Sequence, residues 1–98
     1  MEIEVVSERN NPLLRRVELR IRVEHKGKKT PTRDEVREAI AKIKKVQKDR
    51  VIVDYLHSEF GWGVSRGYVK IYDTKKDALE IEEEHILIRN GLIEKKEG

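Results

Sequence analysis

Val17, Leu19, Ile21 and Val23 alternate without a break with Glu18, Arg20, Arg22 and Glu24. A period of two puts four aliphatic side chains on one face of an extended segment and four charged ones on the other, the signature of a half-buried β-strand. The apolar face of such a strand must be covered, and a chain of 98 residues has material for one sheet, its helices and a single modest core. The expectation is one domain over residues 1–98. Charged residues make up 42% of the chain, with apolar ones at regular spacings between them, so a thin core under a charged surface is expected rather than uniform disorder.

The flanking segments supply the rest of the sheet. Ile3 and Val5 alternate with Glu2 and Glu4 as a short first strand ending near Asn10-Asn11-Pro12, a turn short enough for a hairpin. After the breaker Lys26-Gly27-Lys28-Lys29-Thr30-Pro31, Thr32 and Glu35 have the capping-box spacing that opens a helix. Val36, Ala39, Ile40 and Ile43 are expected to face the sheet, leaving Arg37, Lys44 and Lys48 on a wet stripe. Val51-Ile52-Val53 with Tyr55 and Leu56 is a third strand whose continuous apolar run predicts deep burial. Tyr68 to Tyr72, with Val69 and Ile71 alternating, is a fourth.

Thr74 and Asp77 repeat the capping spacing, and a second helix runs toward Asn90 with Gly91 as its C-terminal cap. Ala78, Ile81, His85 and Ile88 fall on one stripe that Leu79 and Ile86 widen, so either the apolar face is broad or the helix ends early. The order is β-β-α-β-β-α. A helix between the second and third strands calls for a right-handed crossover between parallel strands. Inserting the fourth strand between them makes every neighbour antiparallel, which gives an α+β fold with a four-stranded sheet of order 1-2-4-3.

Charge is unevenly distributed. Residues 1–74 carry 17 Lys and Arg against 12 Asp and Glu, while residues 75–98 carry five against seven, so the body suits a polyanion and the last quarter suits solvent or a protein neighbour. Cysteine is absent, which removes disulfide and thiolate chemistry. No apolar run approaches a membrane span, and the acidic, strand-like start is unlike a signal or transit peptide, so a cytoplasmic location is expected. His25, His57 and His85 lie in separate elements with no chelating spacing, and each reads as a surface or packing histidine. Glu80, Glu82, Glu83 and Glu84 read as a solvated acidic face rather than a metal or acid–base site, and no nucleophile, base or cofactor motif is recognisable.

The candidate contact surface is the stretch from Phe60 to Asp73, where aromatics, glycines and cations alternate at the start of a strand. Phe60, Gly61, Trp62, Gly63, Ser65, Arg66, Gly67, Tyr68 and Lys70 are its candidate RNA-binding residues: glycines admit close backbone approach, rings offer stacking faces, and Arg66 and Lys70 neutralise phosphates. The glycine spacing is not that of a dinucleotide or phosphate loop, which also needs a helix after it where a strand follows here. Arg66-Gly67-Tyr68 and Ile71 fit the first ribonucleoprotein motif of RNA-recognition domains, but Lys70 and Asp73 stand at its later aromatic positions. The alternative is therefore a free-standing single-stranded RNA binder using Tyr68 and Tyr72 on a sheet face. Lys26, Lys28 and Lys29, with Lys44, Lys45 and Lys48 downstream, are basic clusters that would add phosphate contacts if they converge with Arg66 and Lys70.

Nearly the whole chain resembles the archaeal and eukaryotic small-subunit ribosomal proteins of the S24e family. The resemblance rests on Asn11-Pro12-Leu13-Leu14 with Arg16, on Thr32-Arg33-Asp34-Glu35-Val36-Arg37-Glu38, on Phe60 to Asp73, and on Arg89-Asn90-Gly91-Leu92-Ile93-Glu94-Lys95-Lys96. Within the third segment Phe60-Gly61, Ser65, Gly67-Tyr68 and Ile71-Tyr72-Asp73 match the family pattern; Val64 stands where that pattern has a basic residue and Val69 where Gly or Ala is usual. Arg66 lies two residues on, with its side chain on the same face. The resemblance implies a non-enzymatic, monomeric constituent of the small ribosomal subunit, cytoplasmic and ribosome-bound. It would lie on ribosomal RNA beside neighbouring ribosomal proteins, without a cofactor. The long basic C-terminal extension of eukaryotic members is missing, which suits an archaeal form.

Overall fold

The computed structural model describes residues 2–59 and 63–93. In chain order the elements are β1 (Glu2–Asn11), β2 (Arg16–Glu24), α1 (Arg33–Lys44), a 3-10 turn (Lys48–Arg50), β3 (Val51–Glu59), β4 (Val64–Tyr72), α2 (Lys75–Ile81) and α3 (Glu84–Arg89). The strands form one antiparallel sheet in the order β1-β2-β4-β3. This is the expected α+β arrangement, with β1, β3 and β4 longer than expected and the second helix divided in two.

Residues opposite one another on paired strands share a face. Leu19 lies opposite Val69, Val17 opposite Ile71, and Val53 opposite Val69 on the other side, so the inner face is aliphatic across three strands. Val36, Ile40 and Ala41 of α1 close over Leu19, Ile21, Val23, Val51, Val53, Val69 and Ile71 as the main core. Each of the fully buried Val, Leu and Ile side chains contributes about 1.5–3 kcal/mol by leaving water. Thr32 caps α1 by accepting the Glu35 amide at 3.1 Å, as its spacing predicts.

The buried face of α1 is rotated from the expected one. Ile43 is 51% exposed, whereas Arg37, expected on the wet stripe, is only 5% exposed. Its guanidinium donates to the carbonyls of Val51 (2.8 Å), Lys48 (3.0 Å) and Asn90, which no aliphatic side chain could satisfy. Burial lowers the Arg37 pKa from its ordinary value. Asn90 completes the arrangement: its side-chain carbonyl accepts the Val53 amide at 2.9 Å and its amide group donates to the Val53 carbonyl at 3.0 Å. Arg37 and Asn90 thus occupy the outer edge of β3, where backbone groups would otherwise be unpaired.

A smaller core of Ile52, Tyr72, Ala78, Ile86 and Leu87 lies on the opposite, outer face of the sheet. With Val51 and Val53 under α1 and Ile52 under the C-terminal helices, β3 is deeply buried as its apolar run predicts, although it is an edge strand. Thr74 accepts the Asp77 amide at 3.1 Å to start α2, and two extended residues, Glu82 and Glu83, separate α2 from α3. The break resets the helical phase: Ile86 and Leu87 face the sheet while His85 points out. Gly91 follows α3 with φ +73°, in the expected capping place.

Candidate nucleic-acid interface

The outer face has two halves. Over one of them α2 and the turn after it cover a buried polar network. The Tyr72 hydroxyl donates to Glu82 at 2.6 Å, Lys70 donates to the same carboxylate at 2.8 Å and meets Asp54 at 3.2 Å, and Arg16 bonds both Glu18 and the Tyr72 oxygen at 2.8 Å. Burial lowers the Arg16 pKa, but its bonds to Tyr72 and Glu18 outweigh this and leave it above the ordinary value. Burial raises the Tyr72 hydroxyl far above its ordinary value, and the Glu82 bond raises it further.

Three expectations change here. Lys70 is 8% exposed and its ammonium is held by two carboxylates, so it does not face outward as a phosphate contact. Tyr72 is fully buried and cannot serve as a stacking platform with Tyr68. Glu82 is the carboxylate that organises this network, not part of a solvated acidic face; Glu80, Glu83 and Glu84 are exposed.

The other half of the outer face is uncovered by α2 and α3. Arg20 and Arg22 of β2, Arg66 and Tyr68 of β4, and Tyr55 and His57 of β3 share it, since Arg20 pairs with Tyr68, Arg22 with Arg66, Tyr55 with Tyr68 and His57 with Arg66. The rings are in contact, Tyr55 with His57 at a centroid separation of 4.9 Å and Tyr55 with Tyr68 edge-on at 5.9 Å. Arg20 lies 5.4 Å from the Tyr68 ring centre and donates to the Tyr55 hydroxyl at 3.3 Å. Burial and the Glu18 charge raise the Tyr68 pKa. A groove of about 330 Å³ runs along this surface, lined by Glu4, Val6, Arg20, Arg22, Tyr55 and Arg66 together with Ile21 and Gly67. Gly67 is closely packed by its neighbours: a Cβ there would approach the Tyr55 carbonyl to 3.1 Å and Leu56 Cδ1 to 3.2 Å.

Among the sequence candidates, Arg66 and Tyr68 stand on this open half, Arg66 on the same side of β4 as Val64. Gly67 lies beneath, and Ser65 is fully buried, bonded to His25 Nε2 at 2.8 Å. Ser65, Arg66, Gly67 and Tyr68 belong to β4 and not to a loop; Phe60, Gly61 and Trp62 lie outside the described residues. Arg20, Arg22, Tyr55 and His57 were not among the candidates. Their signal was the polar phase of the β2 alternation and two rings at i and i+2.

The lysine clusters divide. Lys26, Lys28 and Lys29 are exposed on the β2–α1 connection, which packs against Gly63: the His25 amide donates to the Gly63 carbonyl at 2.8 Å. Gly63 has φ +64°, and a Cβ on it would come within 3.1 Å of Lys26 Cα. This brings the first lysine cluster to the same end of the sheet as Arg66 and Gly63. Lys44 and Lys45 lie at the C-terminal end of α1, where Lys44 is ion-paired with Glu8, and Lys48, in the 3-10 turn that follows, reaches back to Asp34 in the first turn of α1 at 2.6 Å. The two clusters do not converge.

Comparison with known proteins matches residues 1–91 to the family described as Ribosomal protein S24e. The small ribosomal subunit protein eS24 of Archaeoglobus fulgidus is 50% identical over 97 residues, covering 99% of this chain and 87% of the relative. That of Methanocaldococcus jannaschii is 44% identical over 94 residues, covering 96% and 92%, and that of Methanothrix thermoacetophila 41% over 98 residues, covering 100% and 99%. Coverage this complete on both sides leaves no large segment of either chain unmatched: the chain belongs to the ribosomal protein S24e family.

Proposed function

We propose that this chain is a structural, non-enzymatic constituent of the small ribosomal subunit that binds folded ribosomal RNA beside neighbouring ribosomal proteins, ribosome-bound in the cytoplasm and monomeric when isolated. Family membership and the names of the archaeal relatives support the ribosomal assignment. The observation that carries the RNA assignment is the meeting of two separate sequence segments at one end of the sheet. The connection bearing Lys26, Lys28 and Lys29 packs on Gly63, next to the half-sheet bearing Arg20, Arg22 and Arg66. Arg22 and Arg66 lie directly opposite one another, with Arg22 also ion-paired to Glu24 at 2.5 Å, and together they add cationic surface for phosphates.

Binding to small-subunit ribosomal RNA, followed against salt concentration, tests this. The log–log slope should change by roughly −0.7 to −0.9 per phosphate neutralised, and replacing Lys26, Lys28 and Lys29 together by Gln should make it shallower by about two units or more. A slope unchanged by that replacement, or exclusion of the protein from small-subunit fractions at low salt, would sink the reading.

A further inference from the structure

Phosphate contacts alone do not account for the open half-sheet. Tyr55 reaches there because Asp54 forms a bulge in β3: Val53 pairs with Val69 and Tyr55 with Tyr68, so the extra residue moves Tyr55 and His57 from the inner to the outer face. There the Tyr55 ring leans across β4 until its hydroxyl meets Arg20 of β2, with His57 against it and the edge contact with Tyr68 alongside. The groove on this surface, about 330 Å³, is at the small end of the range for sites that hold small ligands. Its walls differ in character. Tyr55 and Val6 are ring and aliphatic surface, Arg20, Arg22 and Arg66 are cations, and Glu4 on β1 is the carboxylate in the lining, across the strand pair from Arg22, which is itself ion-paired with Glu24 at 2.5 Å.

We infer that this groove takes one unpaired RNA base, stacked on the Tyr55 ring with its flanking phosphate against Arg66 and Arg22. The inference rests on the RNA-binding reading above and specifies what the site recognises: a nucleotide outside a helix, because a paired base presents no free face to a ring. Glu4 repels phosphate and accepts hydrogen bonds, so it orients the nucleotide with the base edge toward β1 and the phosphate toward β4. Tyr55 supplies the flat surface and Arg20 holds that ring in place through its hydroxyl. A paired helix would meet the guanidiniums and the loop lysines and leave the groove empty.

The test compares two fluorescently labelled RNA hairpins, identical except that one carries a single bulged guanosine. Wild-type protein should bind the bulged hairpin about 5- to 150-fold more tightly, the range expected of one base stacked on an aromatic side chain. Tyr55→Leu should lose that preference, and Tyr55→Phe, which keeps the ring, should retain it. Photo-crosslinking of wild-type protein through thioguanosine at the bulge requires no variant and should label the peptide containing Tyr55 and His57. Equal wild-type affinity for the two hairpins, with binding still salt-dependent, overturns the base site and leaves the ribosomal RNA reading standing. So does a crosslink confined to another peptide, or an undiminished preference in Tyr55→Leu. Failure to bind either hairpin or small-subunit ribosomal RNA overturns both.

Discussion

Glu82 illustrates how far one carboxylate's role depends on where it points. Glu80, Glu83 and Glu84 surround it in sequence and are exposed, while its own side chain is 4% exposed and accepts from Tyr72 and Lys70. Removing one charge from a buried pair leaves the partner uncompensated, so Glu82→Gln should lower stability by about 3 kcal/mol or more, read as the urea midpoint. Gln at Glu80, Glu83 and Glu84 together should shift stability by less than about 1 kcal/mol and leave RNA affinity equal or slightly raised. Similar losses from the two sets would refute the network. The same network makes Tyr72 a reporter of alkaline pH. Its folded-state pKa is raised by burial and by Glu82, so the folded protein keeps the phenolic proton where the unfolded chain, near pH 10, releases it. The contribution is constant below about pH 10 and is lost above it, at up to about 1.4 kcal/mol per pH unit. Tyr72→Phe should be less stable at neutral pH but lose stability less steeply above about pH 10, and equal alkaline slopes would argue against the buried hydroxyl.

At the level of elements, β3 has the most demanding position. It is buried on both faces and still an edge, so the backbone groups that point away from β4 must find partners outside the sheet. Arg37 from α1 and Asn90 after α3 provide them, and in doing so tie three elements to one strand. Asn90→Ala removes both partners of Val53 and should cost about 1–3 kcal/mol, because buried donors and acceptors left unmet carry their full desolvation penalty. Native-state hydrogen exchange should show the Val53 amide losing protection while the Leu19 and Val69 amides, central in the sheet, change only with global stability. Exchange at Val53 that merely follows the global change would mean Asn90 is not its partner.

Across the whole molecule, charge is sorted by end. The end holding Lys26, Lys28, Lys29 and Gly63 adjoins the open half-sheet, while Lys44, past the other end of α1, and Lys48 are ion-paired with Glu8 and Asp34. Cations already paired within the protein release fewer counterions on meeting RNA. Replacing Lys44, Lys45 and Lys48 together by Gln should therefore shallow the salt slope by less than half as much as the same change at Lys26, Lys28 and Lys29. Equal effects would place both ends on RNA.

Periodicity, turn chemistry and capping residues are local, which is why they were legible without a structure. The β2 alternation, the Thr32 and Thr74 caps and the crossover argument suffice for four antiparallel strands in the order 1-2-4-3. The loop lysines and Arg66 were legible as candidates because charge and glycine content are properties of composition. Which face a residue occupies is not local once a strand contains an extra residue. Tyr55 and His57 are in phase with Val51 and Val53 along the chain, yet the bulge at Asp54 delivers them to the opposite face, beside Arg20 and Arg66. The same dependence on distant partners turned Arg37, Lys70 and Glu82, three charged residues that pattern assigns to solvent or to RNA, into buried anchors. Burying a charge is favourable only where opposite charges or carbonyls wait to receive it, and those partners are supplied by strands and helices far away in sequence.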